Sequence, residues 1–459
     1  MNVPVSPQRV LPTLNADGSR NRIRPRLYAG PLYRGRRWVG WSLLLLFAAL
    51  PLVHVGGKPA ILLDVVQRQF SFLGRTFLAT DGVLLMLLLL GIFATVMWVT
   101  ALFGRAWCGW ACPQTVYMEF LFRPIERLFE GKREAQLRLD GKGLSGRRVA
   151  KNLVFLLLAF LVGNVFLAYF VGARTLWTWM GQSPYQHPTG FTVMLVTTGL
   201  VFFDFAYFRE QMCTVICPYA RLQSALLDRQ SLLIGYDERR GEPRAKGKWK
   251  PQHGDCIDCN ACVVACPTGI DIRQGLQLEC IACGQCADAC DSIMARIDKP
   301  PGLIRYASQH ELATGSRASL LRPRVLIYSC LLFGLLAGLV FALQHEPKTD
   351  VTLLRGIGAP FSESAEGVMN QIRVKIRNRS DAERSYRVEL VDFAEAKVIA
   401  PELPLRVAQG EQRSTSLFVV APHTAFTQGR RDIVFLVSDG AAFRERFTYN
   451  LLGPEGTRP

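Results

Sequence analysis

The sequence predicts a mixed fold in three parts: an α-helical bundle of five transmembrane helices, a cysteine-rich insert before the last helix, and an all-β immunoglobulin-like sandwich at the carboxyl end. Three observations lead to this prediction. Hydrophobic residues make up 49% of the 459 residues although 20% are charged, so the apolar residues must be concentrated in a few stretches. Eight of the 13 cysteines lie between residues 256 and 290. Beyond residue 344, apolar positions alternate with a period near two.

Five stretches with little or no charge are long enough to cross a hydrocarbon layer of about 30 Å. The first begins well inside the chain and four similar stretches follow it, so we interpret it as an uncleaved anchor and not as a signal peptide. The predicted spans are residues 38–55, 82–103, 152–171, 190–208 and 325–343.

The basic residues predict the orientation of these spans. Residues 1–37 carry eight Lys or Arg and residues 104–151 carry ten, whereas residues 56–81 carry three and residues 172–189 carry one. By the positive-inside rule, the amino terminus is cytoplasmic and the spans alternate from there. We therefore attribute the net charge of +17 to basic residues that lie beside membrane lipid, and we expect no nucleic-acid partner.

The spans divide the chain into five segments with different expected roles. We predict a basic cytoplasmic amino-terminal arm, four helices, a cytoplasmic linker with the cysteine-rich domain, the fifth helix, and a sandwich on the outer side. In that order the segments are residues 1–37, 38–208, 209–324, 325–343 and 344–459.

Eight cysteines form two runs with the spacing C-x2-C-x2-C-x3-C, which is typical of bacterial ferredoxins with two [4Fe–4S] clusters. In such proteins the fourth cysteine of each run ligates the other cluster. The alternative is a pair of zinc sites, but structural zinc normally uses separated C-x2-C pairs. We therefore assign one cluster to Cys256, Cys259, Cys262 and Cys290, and the other to Cys280, Cys283, Cys286 and Cys266.

Two further cysteine pairs lie where the second and fourth spans end. Cys108 and Cys112 belong to one C-x3-C-P motif, and Cys213 and Cys217 belong to another, 105 residues later. Proline disfavours helix at the residue before it, so each pair should lie where a helix breaks. Thiolates favour copper(I), zinc or iron–sulfur centres. Close helix packing of small residues and a redox-active disulfide are the alternatives.

Other polar residues in or beside the spans are harder to interpret. Asp204 is charged within an apolar span, and a functional role and an ion pair with Arg209 are equally supported. We expect His54 and His187 to be structural. Residues 64–78 are expected to form a short helix, and residues 114–130 an amphipathic helix on the membrane surface.

The carboxyl-terminal segment predicts strands at residues 371–377, 385–391, 416–420, 432–437 and 443–451. This pattern predicts an antiparallel sandwich of the immunoglobulin type. The segment has no cysteine, so we interpret it as a docking or scaffold module whose ligand the sequence does not name.

Three strings carry a resemblance to a known family: GRAWCGWACPQTVYMEF, FREQMCTVICPYARLQSALLDRQSLLIGYDERRGEPR and CIDCNACVVACPTGIDI. In this order and with the terminal sandwich, the chain resembles the CcoG/RdxA/FixG family of membrane ferredoxin-like proteins, accessory proteins for the assembly of cbb-type cytochrome oxidases. The resemblance implies a bacterial inner-membrane location with the sandwich in the periplasm. It also implies a cupric reductase that works with a copper-exporting P-type ATPase and oxidase assembly factors, with copper at Cys108, Cys112, Cys213 and Cys217.

Two other functions remain open at this point. A membrane ferredoxin could carry electrons between a quinol and a reductase, although such proteins should lack the fifth span and the sandwich. A redox or metal sensor would need a signalling partner and would show no turnover. No dinucleotide or flavin motif is present, so the electron donor must be another protein or a small reductant. The oligomeric state, including a homo-oligomer, is open.

Overall fold

The structure, a computed structural model, describes residues 9–454 apart from residues 16, 18, 56–57, 67–68, 73–74, 79–81, 142, 144, 246–249, 317–318, 320, 346, 365–366, 381 and 441–442. The chain divides into two compact units, Met1–Leu339 and Val340–Pro459.

The first unit contains most of the helices and several small sheets. Its helices are α1 (Pro31–Ala49), α2 (Gly82–Phe103), α3 (Ala106–Trp110), α4 (Pro113–Val116), α5 (Arg123–Glu130), α6 (Arg133–Asp140), α7 (Gly146–Val171), α8 (Ala173–Met180), α9 (Pro188–Phe203), α10 (Pro218–Leu226), α11 (Glu238–Gly241), α12 (Ala261–Ala265), α13 (Gln285–Met294), α14 (Gln309–Thr314) and α15 (Pro323–Gln344), the last of which continues into the second unit. Its strands are β1 (Arg9–Leu11), β2 (Leu14–Asn15), β3 (His54–Val55), β4 (Lys58–Pro59), β5 (Ile61–Asp64), β6 (Gln69–Phe72), β7 (Arg75–Leu78), β8 (Leu233–Tyr236) and β9 (Ile304–Ala307). Three π-helical segments join these elements at Tyr117–Phe122, Asp204–Phe208 and Met212–Ile216.

Four helices among the described residues are long and apolar enough to cross a membrane: Gly82–Phe103, Gly146–Val171, Pro188–Phe208 and Pro323–Gln344. They contain four of the five predicted spans. The first predicted span differs, because α1 begins at Pro31 and ends at Ala49. From Trp38 to Ala49 the helix is only about 18 Å long at 1.5 Å per residue. A fifth crossing therefore stays a prediction.

The amino-terminal arm packs against the rest of the first unit. We predicted a basic cytoplasmic arm here, and its burial against other elements could not be read from the sequence. The β1–β2 hairpin opens the described part of the arm, Thr13 is fully buried, and the amide of Arg26 donates to the carbonyl of Val264 at 2.9 Å. Arg24 and Arg36 are buried as well. Residues 1–8 lie outside the described residues.

A buried ion network holds this arm against the helices. Glu126 of α5 is 2% exposed, and it accepts hydrogen bonds from Arg24 Nη1 at 2.5 Å and from Arg209 Nη1 at 2.7 Å. Glu130 accepts from Lys151 of α7 at 2.8 Å. Burial alone would raise the pKa of Glu126, but the cations of Arg209, Arg24 and Lys151 lower it well below its usual range. One face of residues 114–130 is therefore buried in the protein, whereas Leu128 on the same segment is 78% exposed. The expected amphipathic helix on the membrane surface stays a prediction.

Aromatic side chains also hold this part of the first unit together. Phe122 stacks on Phe205 with ring centroids 4.3 Å apart and meets the edge of Phe155 of α7 at 4.9 Å. This contact joins the segment after α4 to α7 and to the π-helical segment Asp204–Phe208 that follows α9.

The loop that follows α1 forms strands, so the prediction of a short helix at residues 64–78 is wrong. Strands β5, β6 and β7 pair antiparallel in that order. The β-branched and aromatic residues of this stretch favour strands, which the apolar content alone did not reveal.

The second unit is a two-layer antiparallel sandwich, as predicted. Its strands are β10 (Thr349–Arg355), β11 (Ser362–Ser364), β12 (Gly367–Asn378), β13 (Arg384–Leu390), β14 (Lys397–Ile399), β15 (Leu405–Val407), β16 (Gln412–Ala421), β17 (Arg430–Ser438) and β18 (Arg444–Leu452). One sheet has the order β10-β12-β16-β14 with β11 paired to β12, and the other has the order β15-β13-β17-β18. Ile372, Val374, Leu417, Phe435 and Val437 belong to the core between them. Alternate burial along β12, β16 and β17 confirms the period-two pattern.

We predict that Glu126→Gln destabilises the full chain at pH 7 by about 3–5 kcal/mol, because it removes one partner of a buried ion network. The pKa of Glu126 is lower in the folded than in the unfolded chain, where it is about 4.5. Its ion pairs therefore stabilise the fold above that pH, and the stabilisation is lost as the pH falls toward the folded value. The difference in unfolding temperature between variant and wild type should shrink below about pH 5.

The matched control is Glu134→Gln, which removes an exposed carboxylate from the next helix. The free energy of unfolding of the detergent-solubilised control should differ from that of wild type by less than about 0.5 kcal/mol, as measured by thermal unfolding. Equal unfolding temperatures of the Glu126→Gln variant and wild type at pH 7 would contradict the role of the network.

Candidate metal and electron-transfer site

The two cysteine runs fold into two loops of the same conformation. In the first run Asp258 and Asn260 have φ of 51° and 55°, and 24 residues later Ala282 and Gly284 have φ of 52° and 75°. These left-handed residues turn each loop back on itself just before α12 and α13. Each loop can thus direct several thiols toward one point.

The electrostatic neighbours of two cysteines agree with the predicted groups. The thiols that act on Cys290 are those of Cys262, Cys259 and Cys256. For Cys286 they are chiefly Cys283, Cys280 and Cys266. In the predicted assignment each fourth member likewise comes from the other run.

The donor set of the second group fits a cubane cluster. A cavity beside this group is lined by all four of its thiols, Cys266, Cys280, Cys283 and Cys286. In a [4Fe–4S] cube each thiolate binds a different iron, so four thiols around one cavity supply the ligands that such a cluster needs.

Burial controls the protonation of these thiols. It raises the pKa of Cys262, Cys280 and Cys290 to about 12, and that of Cys283 to about 11. Thiols with such pKa values are protonated at neutral pH, so metal binding must displace their protons.

The two C-x3-C-P motifs have matching backbones. Cys112 has φ of −60° and ψ of 127°, Cys217 has φ of −59° and ψ of 109°, and they immediately precede α4 and α10. Pro113 and Pro218 each begin the following helix. The predicted helix break at each cysteine pair is confirmed.

The four thiols of these motifs lie in one region. Cys213 is under the electrostatic influence of Cys112, Cys108 and Cys217, and burial raises its pKa above the usual range. Burial raises the pKa of Cys108 to about 12, and its thiol donates to Gln223 Oε1 at 3.0 Å. The two C-x3-C-P motifs are thus brought together, although these four thiols do not converge on a single point.

Gly109, between the first pair of cysteines, packs directly on the second ferredoxin loop. A Cβ at this position would lie 2.6 Å from the carbonyl oxygen of Ile281 and 2.8 Å from Cα of Cys283. Trp110 Nε1 donates to the Tyr306 hydroxyl at 2.8 Å, and that hydroxyl donates to the carbonyl of Ala282 at 2.5 Å. Only a glycine permits this approach between the thiol motif and the loop.

Arg105 ties the same three segments together. Its guanidinium donates to the carbonyl of Leu278, to that of Cys280 at 3.2 Å, and to that of Ala220 in α10 at 2.5 Å. The first thiol motif is therefore fixed to the second cluster loop and to the second motif.

Comparison with known proteins identifies the family. A 4Fe-4S dicluster domain matches residues 208–309, a 4Fe-4S binding domain matches residues 85–134, and the IG-like fold at the C-terminal of FixG matches residues 339–454. Protein RdxA of Cereibacter sphaeroides is 34% identical over 80% of this chain and 82% of its own length. The chain belongs to the FixG/RdxA family. The nitrogen fixation protein FixG of Rhizobium meliloti is 32% identical over 86% of this chain and 85% of its own length. Protein RdxB of Cereibacter sphaeroides is 32% identical over 92% of this chain and 94% of its own length.

Membership in the FixG/RdxA family confirms several predictions. The chain is a membrane protein with iron–sulfur domains, an electron-transfer protein of FixG/RdxA type, and its carboxyl unit has an immunoglobulin-like fold. The match at residues 85–134 includes Cys108 and Cys112, so an iron–sulfur role for the first thiol pair is a candidate beside copper.

The structure gives partners to the residues that the sequence left open. Asp204 accepts a hydrogen bond from Gln114 Nε2 at 3.0 Å and lies within electrostatic reach of Cys213, while the guanidinium of Arg209 pairs with Glu126. The ring of His187 stacks on Trp179 at 4.5 Å and its Nε2 lies 2.7 Å from Gln182 Oε1. His54 Nδ1 lies 2.9 Å from the carbonyl of Leu52.

Three residues of this FixG/RdxA-type site were missed by the sequence analysis: Arg36, Arg105 and Gly109. The glycine between paired cysteines could have indicated close packing. The two arginines could not be singled out, because basic residues are common on both sides of them and were attributed to the membrane surface.

We predict that Gly109→Ala disturbs the contact with the second ferredoxin loop, since three backbone atoms there would have to move. Overpacking of this kind costs about 1–3 kcal/mol, so the unfolding temperature and the iron bound per chain should both fall. The control is Gly199→Ala in α9, where a Cβ meets nothing within 4 Å. Wild-type iron content and stability in Gly109→Ala would show that the contact is not needed.

Proposed function

We propose that the chain is a cupric reductase that passes single electrons to Cu(II) at Cys108, Cys112, Cys213 and Cys217. One observation carries the proposal: Gly109 lies between the first two of these cysteines and would bring any added side chain within 2.8 Å of Cα of Cys283. The copper-binding thiols and the ligands of a [4Fe–4S] cluster thus belong to one packed contact.

The chemistry of the thiols favours this reaction. Thiolates are soft ligands that prefer Cu(I), so a site built from them stabilises the product of a one-electron reduction. In each turnover one Cu(II) gains one electron and becomes Cu(I), and one electron enters from a protein or small-molecule donor outside the chain. When bound, the two clusters at the predicted eight cysteines supply the intermediate one-electron storage.

Exposure of the ligands suggests where electrons enter. Cys259 in the first group is exposed, whereas no cysteine of the second group is exposed. A donor can therefore approach the first group from solvent, and the second group faces the thiol motif.

The proposal includes a location and partners. The excess of Lys and Arg in residues 1–37 and 104–151 supports a bacterial inner-membrane protein with its clusters in the cytoplasm and its sandwich in the periplasm. Cu(I) released on the cytoplasmic side would need an exporting P-type ATPase to reach a cbb-type oxidase, and the sandwich would dock assembly factors outside.

The test is copper reduction by the purified full chain with chemically reduced clusters. We expect cluster oxidation, followed by absorbance near about 400 nm, to produce one Cu(I) per electron in a chelator assay. The double variant Cys108→Ala, Cys217→Ala should keep its iron and lose most of this activity, because half of the thiol set is gone.

The control for this experiment is Cys330→Ala, which removes the exposed cysteine of α15 and should reduce copper at the wild-type rate. Reoxidation of the clusters by a quinone but not by Cu(II) would overturn the reductase and favour the electron carrier between a quinol and a reductase.

The match of a 4Fe-4S binding domain at residues 85–134 favours a second candidate, in which the four membrane-end cysteines hold a further iron–sulfur cluster. Such a chain would be an electron carrier. Quantitative iron analysis separates the two: two clusters give about eight iron atoms per chain and three give about twelve. The double variant should lose about four iron atoms if this candidate is correct and none if copper is the ligand.

A further inference from the structure

Arg36 of α1 is a fully buried cation with unused hydrogen-bond donors. Its Nε donates to the carbonyl of Gly109 at 2.7 Å. Among the residues that the structure describes, neither Nη1 nor Nη2 has a hydrogen-bond partner. A buried charge without a partner is costly, so this geometry indicates a missing acceptor.

The surroundings of Arg36 indicate where that acceptor lies. The guanidinium carbon is 5.8 Å from the ring centre of Phe120. Electrostatically it acts on Cys283, Tyr306 and Asp288. Its anchor, Gly109, is packed against the backbone of Cys283.

The nearby acids are already engaged. The carboxylate of Asp288 accepts from the backbone amides of Leu32 at 3.2 Å and Tyr33 at 2.7 Å. Glu119, an acid that acts on Cys283, pairs with Arg123. Neither compensates the charge of Arg36 by direct contact.

The arginine beside the first group of thiols has the opposite environment. Arg273 acts on Cys262, but its Nη1 donates to Asp258 at 2.6 Å, and its Nη2 donates to Asp271 at 2.7 Å and to Asn260 at 2.6 Å. Carboxylates thus pair with the arginine at the first group, while Nη1 and Nη2 of Arg36 at the second group have no such partner among the described residues.

We propose that Nη1 and Nη2 of Arg36 donate hydrogen bonds to sulfur atoms of the cluster held by Cys266, Cys280, Cys283 and Cys286, and that they raise its reduction potential above that of the other cluster. Thiolate-ligated clusters are anionic, and nearby charge and hydrogen bonds to sulfur set their potentials. The difference makes electron transfer from the exposed first group toward the thiol motif downhill. The inference rests on the iron–sulfur part of the proposed function and does not require copper.

The experiment is a redox titration of the detergent-purified full chain without copper, monitored by electron paramagnetic resonance. Arg36→Gln should lower one of the two midpoint potentials by at least about 59 mV, a tenfold change in that one-electron equilibrium. The other midpoint should shift much less. Arg37→Gln, the same change at the exposed neighbouring position, should move neither.

Arg36→Lys keeps the charge but offers one nitrogen in place of the fork, so it should lower the same potential by a smaller amount. Iron analysis accompanies each titration. If Arg36→Gln fails to retain both clusters, Arg36→Lys decides: a wild-type midpoint in that variant overturns the proposal, as do unchanged midpoints in a fully loaded Arg36→Gln. Because no copper is present, a failure of the copper assay leaves this result unaffected.

Discussion

The contact between Gly109 and the backbone around Cys283 is the constraint on which the first unit depends. A side chain at position 109 would meet the carbonyls of Ile281 and Ala282 within 2.8 Å, so the approach is possible for glycine alone. The contact sets the position of the first thiol pair. Arg105, in the same segment, also donates to the carbonyl of Ala220 and so positions the second C-x3-C-P motif as well. Two distant parts of the chain are thereby held as one redox site.

This arrangement brings many charges out of water, and their pairing explains the course of the amino-terminal arm. Glu126 is buried beside Arg209 and Lys151, and Arg24 from the arm completes the pairing at 2.5 Å. Without the arm, the carboxylates of α5 would face fewer cations in a region with little solvent. Because an incompletely paired buried charge is destabilising, the arm stabilises the site by electrostatics as well as by packing.

The parts of the fold that depend on local pattern could be predicted from the sequence. Residues 82–103 are uncharged without interruption, and α2 has the same bounds. The cysteine spacing predicts which thiols share a cluster, because chain connectivity limits the possible wrapping. The arm could not be predicted in the same way. Its arginines resemble a membrane collar, and only the distant partner Glu126 shows that Arg24 is buried. The buried face of residues 114–130 could not be predicted for a related reason: Glu126 and Glu130 pair with Arg209 and Lys151, which lie outside the segment.

Burial and charge together set the direction of electron transfer between the two groups of thiols, and neither sets it alone. The first group of thiols has an exposed member, Cys259, and its arginine is neutralised by Asp258 and Asp271. The second group has no exposed member and lies beside Arg36, whose charge is not paired by direct contact. Desolvation alone penalises the added negative charge of a reduced cluster, so a buried cluster without compensation would be the harder one to reduce. An uncompensated cation at the buried end reverses that order. The guanidinium of Arg36 therefore supplies the positive charge that electron transfer from the first group to the second requires.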